Sequence, residues 1–136
     1  MYTIRKKFTF EMAHQLYDAY SKSCSEQIHG HTYTCEIYLR SNKLDNTGMV
    51  VDFGEVKAKI KDYIDSWDHS LVMPSDMPEE YLNCLKKFNK NLRIVNYNPT
   101  AEAMAKDMYE TIKKFIPYVS KVRLHETTTG WAEYTE

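Results

Sequence analysis

The 136-residue chain reads as an α+β fold, and two periodicities predict it. Apolar residues alternate along 7–14, within a first strand read over 2–14, and along 31–41 and 119–126, the spacing of half-buried strands. They recur every three or four residues along 54–67 and 98–115, the spacing of amphipathic helices. The elements run strand, loop, strand, helix, loop, helix, strand, strand. Size sets the third bound: 136 residues, 43% hydrophobic and 13% aromatic, supply one core and not two, so residues 1–136 are expected to form one domain.

In the first strand Phe8, Phe10, Met12 and His14 fall on one face if the strand runs as far as residue 14. The second strand sets His31, Tyr33, Cys35, Ile37 and Leu39 against Thr32, Thr34, Glu36 and Tyr38, and the loop between the two strands holds Cys24. Gly48 breaks the chain, and Met49-Val50-Val51-Asp52-Phe53 leads into a helix carrying Val56, Ile60, Ile64 and Trp67 on one face. Residues 70–98, with Pro74, Pro78 and a run of Asn and Lys, read as loop around a short helix at Glu79–Phe88. The next helix starts at Asn98-Pro99-Thr100, with Asn98 as cap and Pro99 in the first helical position. Its stripe of Ala101, Met104, Ala105, Met108, Ile112 and Phe115 reads as core packing, not as a cofactor contact. The segment Val119–Glu126 alternates again, with Val122, Leu124 and Glu126 on the apolar side and Arg123 and a surface His125 on the other. Thr127-Thr128-Thr129-Gly130 then turns the chain into a last strand, 131–134.

Chemistry concentrates at the strand ends. His29 and His31 flank Gly30 and share one face of an extended segment, Gly30 leaving the backbone between them uncrowded, and His14 closes the row on the first strand. Three neutral imidazoles with an open fourth position are the ligand set of a catalytic zinc site, whereas structural zinc is usually closed by four protein ligands. The bland alternative is a buried, hydrogen-bonded His14 with two turn histidines. Cys24 lies in a polar loop where a small buried hydrophobe is out of place. A nearby cation lowers a thiol pKa from its usual ~8.5, which suits a nucleophile or base. Asp68-His69 follows the first helix and reads either as a proton relay or as a cap on the helix dipole. Glu126 is either the polar end of a buried row or a carboxylate facing water.

Composition excludes several classes of function. A net charge of −1 with scattered lysines gives no field for a polyanion, so no nucleic-acid partner is expected. No run approaches the ~20 apolar residues of a membrane span, and Met-Tyr-Thr-Ile-Arg-Lys-Lys lacks a signal-peptide core, so a cytoplasmic protein is expected. Three cysteines without a Cys-x-x-Cys pair read as free thiols.

Taken together, several segments carry a specific pattern: Phe10-Glu11-Met12-Ala13-His14, Cys24 followed by His29-Gly30-His31, Gly48-Met49-Val50-Val51-Asp52-Phe53, Asp68-His69, Asn98-Pro99-Thr100-Ala101-Glu102, and Glu126-Thr127-Thr128-Thr129-Gly130. They resemble, nearly end to end, the 6-pyruvoyltetrahydropterin synthase family, which includes 6-carboxytetrahydropterin synthase of queuosine biosynthesis. The resemblance implies the tunnelling fold, a four-stranded antiparallel sheet with two helices packed on one face. It also implies a homohexamer built as a dimer of trimers, with active sites between subunits. It implies zinc on His14, His29 and His31, acid–base chemistry from Cys24, Asp68 and His69, and a pterin ring held by Glu126 and lined by Thr100, Glu102 and Phe53. The substrate would be 7,8-dihydroneopterin triphosphate. A buried carboxylate suits the adjacent N–H donors of a 2-amino-4-oxo heterocycle, and zinc would acidify the side-chain carbon proton that the thiolate removes.

The chain also departs from the pattern. Four residues separate Cys24 from His29, against typically three in the carboxy-forming branch and five in the pyruvoyl-forming branch. Glu26 stands where an aldolase-like branch without the cysteine carries a glutamate to release 6-hydroxymethyldihydropterin. Asp68-His69 continues as Ser-Leu-Val-Met, without the asparagine the family places soon after a leucine. Two rivals use the same residues. A zinc hydrolase would take Glu126 as general base for a bound water, and a non-catalytic zinc or pterin-binding module would need neither Cys24 nor Asp68-His69.

Overall fold

The computed structural model describes residues 1–136. In chain order the elements are β1 (Tyr2–His14), α1 (Lys22–Ser25), β2 (His29–Ser41), α2 (Phe53–Asp65), β3 (Ser70–Pro74), α3 (Glu79–Phe88), β4 (Leu92–Val95), α4 (Ala101–Phe115), β5 (Val119–His125) and β6 (Trp131–Tyr134). The alternating segments form the antiparallel strands expected of them: β1 pairs with β2, β2 with β5 and β5 with β6.

The expected four strands are joined by two more. One six-stranded sheet runs β4-β3-β1-β2-β5-β6, β3 adding in parallel to β1 and β4 in parallel to β3. Both additions fall in the stretch read as loop. Leu71-Val72-Met73 is buried on both faces, so it shows no alternation, and it ends at Pro74, a residue that reads as a breaker. In β4, Arg93 interrupts a run of only four residues.

The amphipathic stripes bury as read. Val56, Ile60, Ile64, Met104, Met108 and Ile112 are all inaccessible and pack with Tyr33, Ile37, Leu39, Val122 and Leu124 into the main core, α2 and α4 lying on one face of the sheet. Each such side chain contributes ~1.5–3 kcal/mol on leaving water. Phe115, at the end of the stripe, stays half exposed. On the opposite face α3 sets Leu82 on Leu71 and Met73, a second and smaller core. The helix boundaries shift. α2 begins at Phe53 behind an Asp52 cap, whose carboxylate accepts from Gly54 N–H at 2.7 Å, and ends at Asp65. α4 is capped by Thr100, which accepts from Ala103 N–H at 3.2 Å, and not by Asn98. The Asn98 side chain is occupied elsewhere, accepting from Tyr17 N–H and donating to Asp18 O. The Cys24 loop contains one helical turn, α1.

Candidate active site

The β1–β2 ladder positions the histidines. His14 lies opposite His29 and Met12 opposite His31, so all three imidazoles leave the same face at one end of the hairpin. Their ligand atoms lie within 4.8 Å of one another. Gly30 is not sterically required between them, because an added Cβ would sit 3.5 Å from Met12 O, an ordinary contact.

The rings are oriented from behind. His14 Nδ1 donates to Pro99 O at 2.8 Å, leaving the Nε2 lone pair to face the cluster, where the Tyr33 hydroxyl donates to it at 3.3 Å. His29 Nδ1 faces Gln27 O at 3.3 Å. The Nε2 atoms of His29 and His31 are buried without a hydrogen-bond partner. Orphaned, converging imidazole nitrogens, with an outer carbonyl fixing one tautomer, suit a divalent metal such as zinc, whose Zn–N bonds are ~2.0–2.1 Å. Burial, assisted by the other two imidazoles, lowers the His14 pKa to about 4, so the ring is neutral at pH 7, as a ligand must be. His31 is also lowered by burial, against the opposing pull of Glu126.

Glu126 follows β5 and turns its carboxylate to the cluster, 3.6 Å from His31 Nε2 and 3.9 Å from His14 Nε2. It is therefore the polar end of the buried row and not a strand-end group directed away into water. Tyr33, fully buried, is the group the sequence reading overlooked as part of the site; its place in the row after His31 was the available signal. Burial raises its pKa, and the charges of Glu126 and Cys24 add to this. The Cys24 turn is anchored two residues beyond His14, where Leu16 N–H donates to Cys24 O at 3.0 Å. Cys24 is half-buried in α1, and Glu26, at the end of that turn, is exposed.

Asp68 and His69 form a pair, but elsewhere. The Asp68 carboxylate accepts from Glu11 N–H at 2.8 Å and from His69 Nδ1 at 3.0 Å, and His69 N–H donates back to Glu11 O. The Glu11 amide, then His69, hold the Asp68 pKa below the usual carboxylate range against a small cost of burial. Asp68 is thus no helix cap, since α2 has already ended at Asp65. His69 adopts a left-handed φ of 59° that presents a ring 78% exposed. The ring lines a 390 Å³ cleft with Glu11, Thr32 and His31; of these, Glu11 and Thr32 belong to the sheet face opposite the three imidazoles.

The remaining candidates scatter. Thr100 caps α4 next to Pro99, and Glu102 is exposed in the first turn of that helix. Phe53, half exposed, lines an apolar cleft with Tyr2 and Ile4 at the far end of β1, ~40 Å of strand from His14. His125 is not a free surface residue: with Arg5 it binds the buried Glu36 carboxylate. Burial alone would raise the Glu36 pKa, but these two partners hold it low.

Comparison with known proteins places this arrangement. The family model described as 6-pyruvoyl tetrahydropterin synthase matches residues 3–136. The 6-carboxy-5,6,7,8-tetrahydropterin synthase of Haemophilus influenzae is 33% identical over 100% of both chains. That of Rickettsia conorii is 32% identical over 94% of this chain and 96% of its own. Two solved structures share the fold. A Wolinella succinogenes protein described as uncharacterized has a TM-score of 0.85 at 22% identity, covering 99% of this chain and 98% of its own. The Caenorhabditis elegans 6-pyruvoyl tetrahydropterin synthase has a TM-score of 0.72 at 24% identity, covering 99% and 95%. The sheet with α2 and α4 on one face is therefore the tunnelling fold, here carrying six strands. With fold and sequence agreeing over almost every residue, the chain belongs to the 6-pyruvoyl tetrahydropterin synthase family of pterin-metabolising enzymes.

Proposed function

We propose that this protein is a cytoplasmic, zinc-dependent lyase that converts 7,8-dihydroneopterin triphosphate to 6-carboxy-5,6,7,8-tetrahydropterin with loss of triphosphate, a step of the queuosine pathway. The observation that carries the reading is the convergence of three imidazoles, two of them with orphaned Nε2 atoms, beside Glu126 and the Cys24 turn. The choice of the carboxy product over the pyruvoyl one follows the names of the curated relatives. No helix is long and apolar enough to cross a membrane.

His14, His29 and His31 would hold the zinc through Nε2, Pro99 O fixing the first of them. When bound, the metal supplies Lewis acidity to the oxygens of the substrate side chain. Cys24 removes the acidified side-chain proton, and Glu126 accepts from the 2-amino group and the adjacent ring N–H of the pterin. Asp68 holds His69 with Nδ1–H toward its carboxylate, which leaves Nε2 to carry a proton. Because that ring emerges on the opposite sheet face, the pair serves the histidine cluster of another copy. This fits the homohexamer of stacked trimers, with active sites between subunits, that the family resemblance implies. The outer strands β4 and β6 leave open edges for such pairing. In that assembly Phe53, Thr100 and Glu102 line pterin pockets.

The test is incubation with dihydroneopterin triphosphate, trapping of acetaldehyde and identification of the released pterin. Cys24→Ala should abolish the carboxy product. If Glu26→Gln instead stops all turnover while Cys24→Ala remains active and releases 6-hydroxymethyldihydropterin, the enzyme is an aldolase-like cleaver and Glu26 is its base.

A further inference from the structure

We infer that Gln15 and Tyr81 are positioning residues that hold the turn carrying Cys24 at the hairpin end that bears the histidine cluster, an inference that rests on the function proposed above. The turn carrying Cys24 cannot hold itself. α1 is a single turn of four residues, buries no side chain, and receives no side-chain cap from Ser21. An isolated turn of that length is far below what helix formation sustains alone. Its position comes from contacts made just after His14. Leu16 N–H donates to Cys24 O at 3.0 Å, and the Gln15 amide Nε2 donates to Ser25 O at 3.1 Å.

Gln15 is only 8% exposed, and its other end is also engaged: Oε1 accepts from the Tyr81 hydroxyl at 2.6 Å. Tyr81 rides on α3 and packs with the core of Leu71, Met73 and Leu82 on the face of the sheet away from the histidines. One amide thus ties the Cys24 turn to a helix on the far side of the sheet, directly behind a ligand histidine. Both polar ends of the buried amide are paired in this geometry, and moving the turn would leave one of them unpaired, so the strut fixes the turn where a lone loop would drift. A drift of ~1 Å in a catalytic group costs up to ~100-fold in rate.

Tyr81→Phe removes one hydroxyl and keeps the ring packing, and Gln15→Met removes both hydrogen bonds at similar volume. Each should slow turnover about tenfold to a hundredfold, with KM and bound zinc close to wild type. The double variant should be no slower than the worse single one, because both break the same link. A second measurement needs no substrate. At about pH 10, above the ordinary thiol pKa, iodoacetamide labelling of Cys24 relative to the exposed Cys84 should rise several-fold in either variant. Cys35 stays silent, fully buried with its pKa pushed up to about 12. Unchanged labelling with unchanged kcat would overturn the inference, and so would parallel loss of zinc, KM and kcat, the mark of a general structural role. A wild-type protein inactive on dihydroneopterin triphosphate would instead overturn the proposed function, while the labelling ratio would still decide whether the strut holds the turn.

Discussion

The histidine cluster and the Asp68–His69 pair stand at the same end of β1, yet they are built by opposite means. The cluster comes from one antiparallel ladder, in which His14 faces His29 and the three rings converge on a closed face backed by Pro99. The pair sits at the junction of β1 with the parallel strand β3, clipped to the Glu11 backbone, with a left-handed residue turning the imidazole outward. One site draws its three imidazoles from a single subunit. The other is held rigidly but offered to something outside it. Rigid backbone attachment of an exposed ring suits a group that acts on another copy's substrate.

Substitution should separate the two most sharply. On the proposed function, His31→Ala removes one of three zinc ligands and should leave protein without metal and without product. Asp68→Asn should keep zinc at wild-type stoichiometry and lower turnover by ~10²–10⁴, the usual worth of a positioned acid–base group. Metal analysis of both variants, alongside turnover, is the measurement. Zinc lost from Asp68→Asn would mean that the pair belongs to the metal site after all, and the contrast would fall.

Acid should separate them next. In metal-free protein the His14 pKa is about 4, against an ordinary value of ~6.5 in the unfolded chain. Between those values the unfolded chain binds a proton that the folded one excludes, so stability is full above about pH 6.5 and falls as the pH drops toward 4. The loss amounts to about 3 kcal/mol. Urea unfolding of chelator-treated protein at pH 7 and near pH 4 measures it, and His14→Gln should remove most of the difference. A wild-type slope retained in that variant would assign the loss to other groups, His31 first among them, because burial lowers its pKa as well and its contribution is lost over the same range below the ordinary imidazole value.

The difference between the two regions also explains what the sequence made legible. Strand alternation runs from Phe8 to His14 in β1 and from His31 to Leu39 in β2, so His14, His29 and His31 could be set on one face from spacing alone. For Glu126 the same rule, one strand further on, left two readings, and its approach to His31 decides for the buried row. The partner of Asp68 could not be read in this way, since its carboxylate meets a backbone amide 57 residues away through a strand that carries no alternating pattern. The α4 start was misplaced by one local choice. Asn98 is as good a cap as Thr100 by residue type, and only the β1–β2 loop, which occupies both ends of the Asn98 amide, decides between them. Tyr33 escaped notice because an aromatic in a core row reads as packing, and its hydroxyl matters only once His14 stands beside it.

The smallest effect concerns two residues that the family resemblance assigned to the same pocket. Thr100 accepts from Ala103 N–H and so fixes the start of α4, and with it the Pro99 carbonyl that orients His14. Thr100→Ala should therefore cost about 1 kcal/mol of stability, the usual worth of a lost N-cap, and Thr100→Ser should restore it. Glu102, exposed in the first helical turn, contributes only its favourable place on the helix dipole, so Glu102→Gln should change stability by no more than ~0.3–1 kcal/mol. Denaturant unfolding ranks the two, and pterin binding by the same variants completes the test. If Thr100→Ala leaves stability unchanged but weakens pterin binding, the hydroxyl serves the ring directly and the cap is incidental. If Glu102→Gln weakens binding while Thr100→Ser does not, the pocket wall is the exposed carboxylate, and the Thr100 hydroxyl belongs to the support of His14 on the cluster side of the sheet.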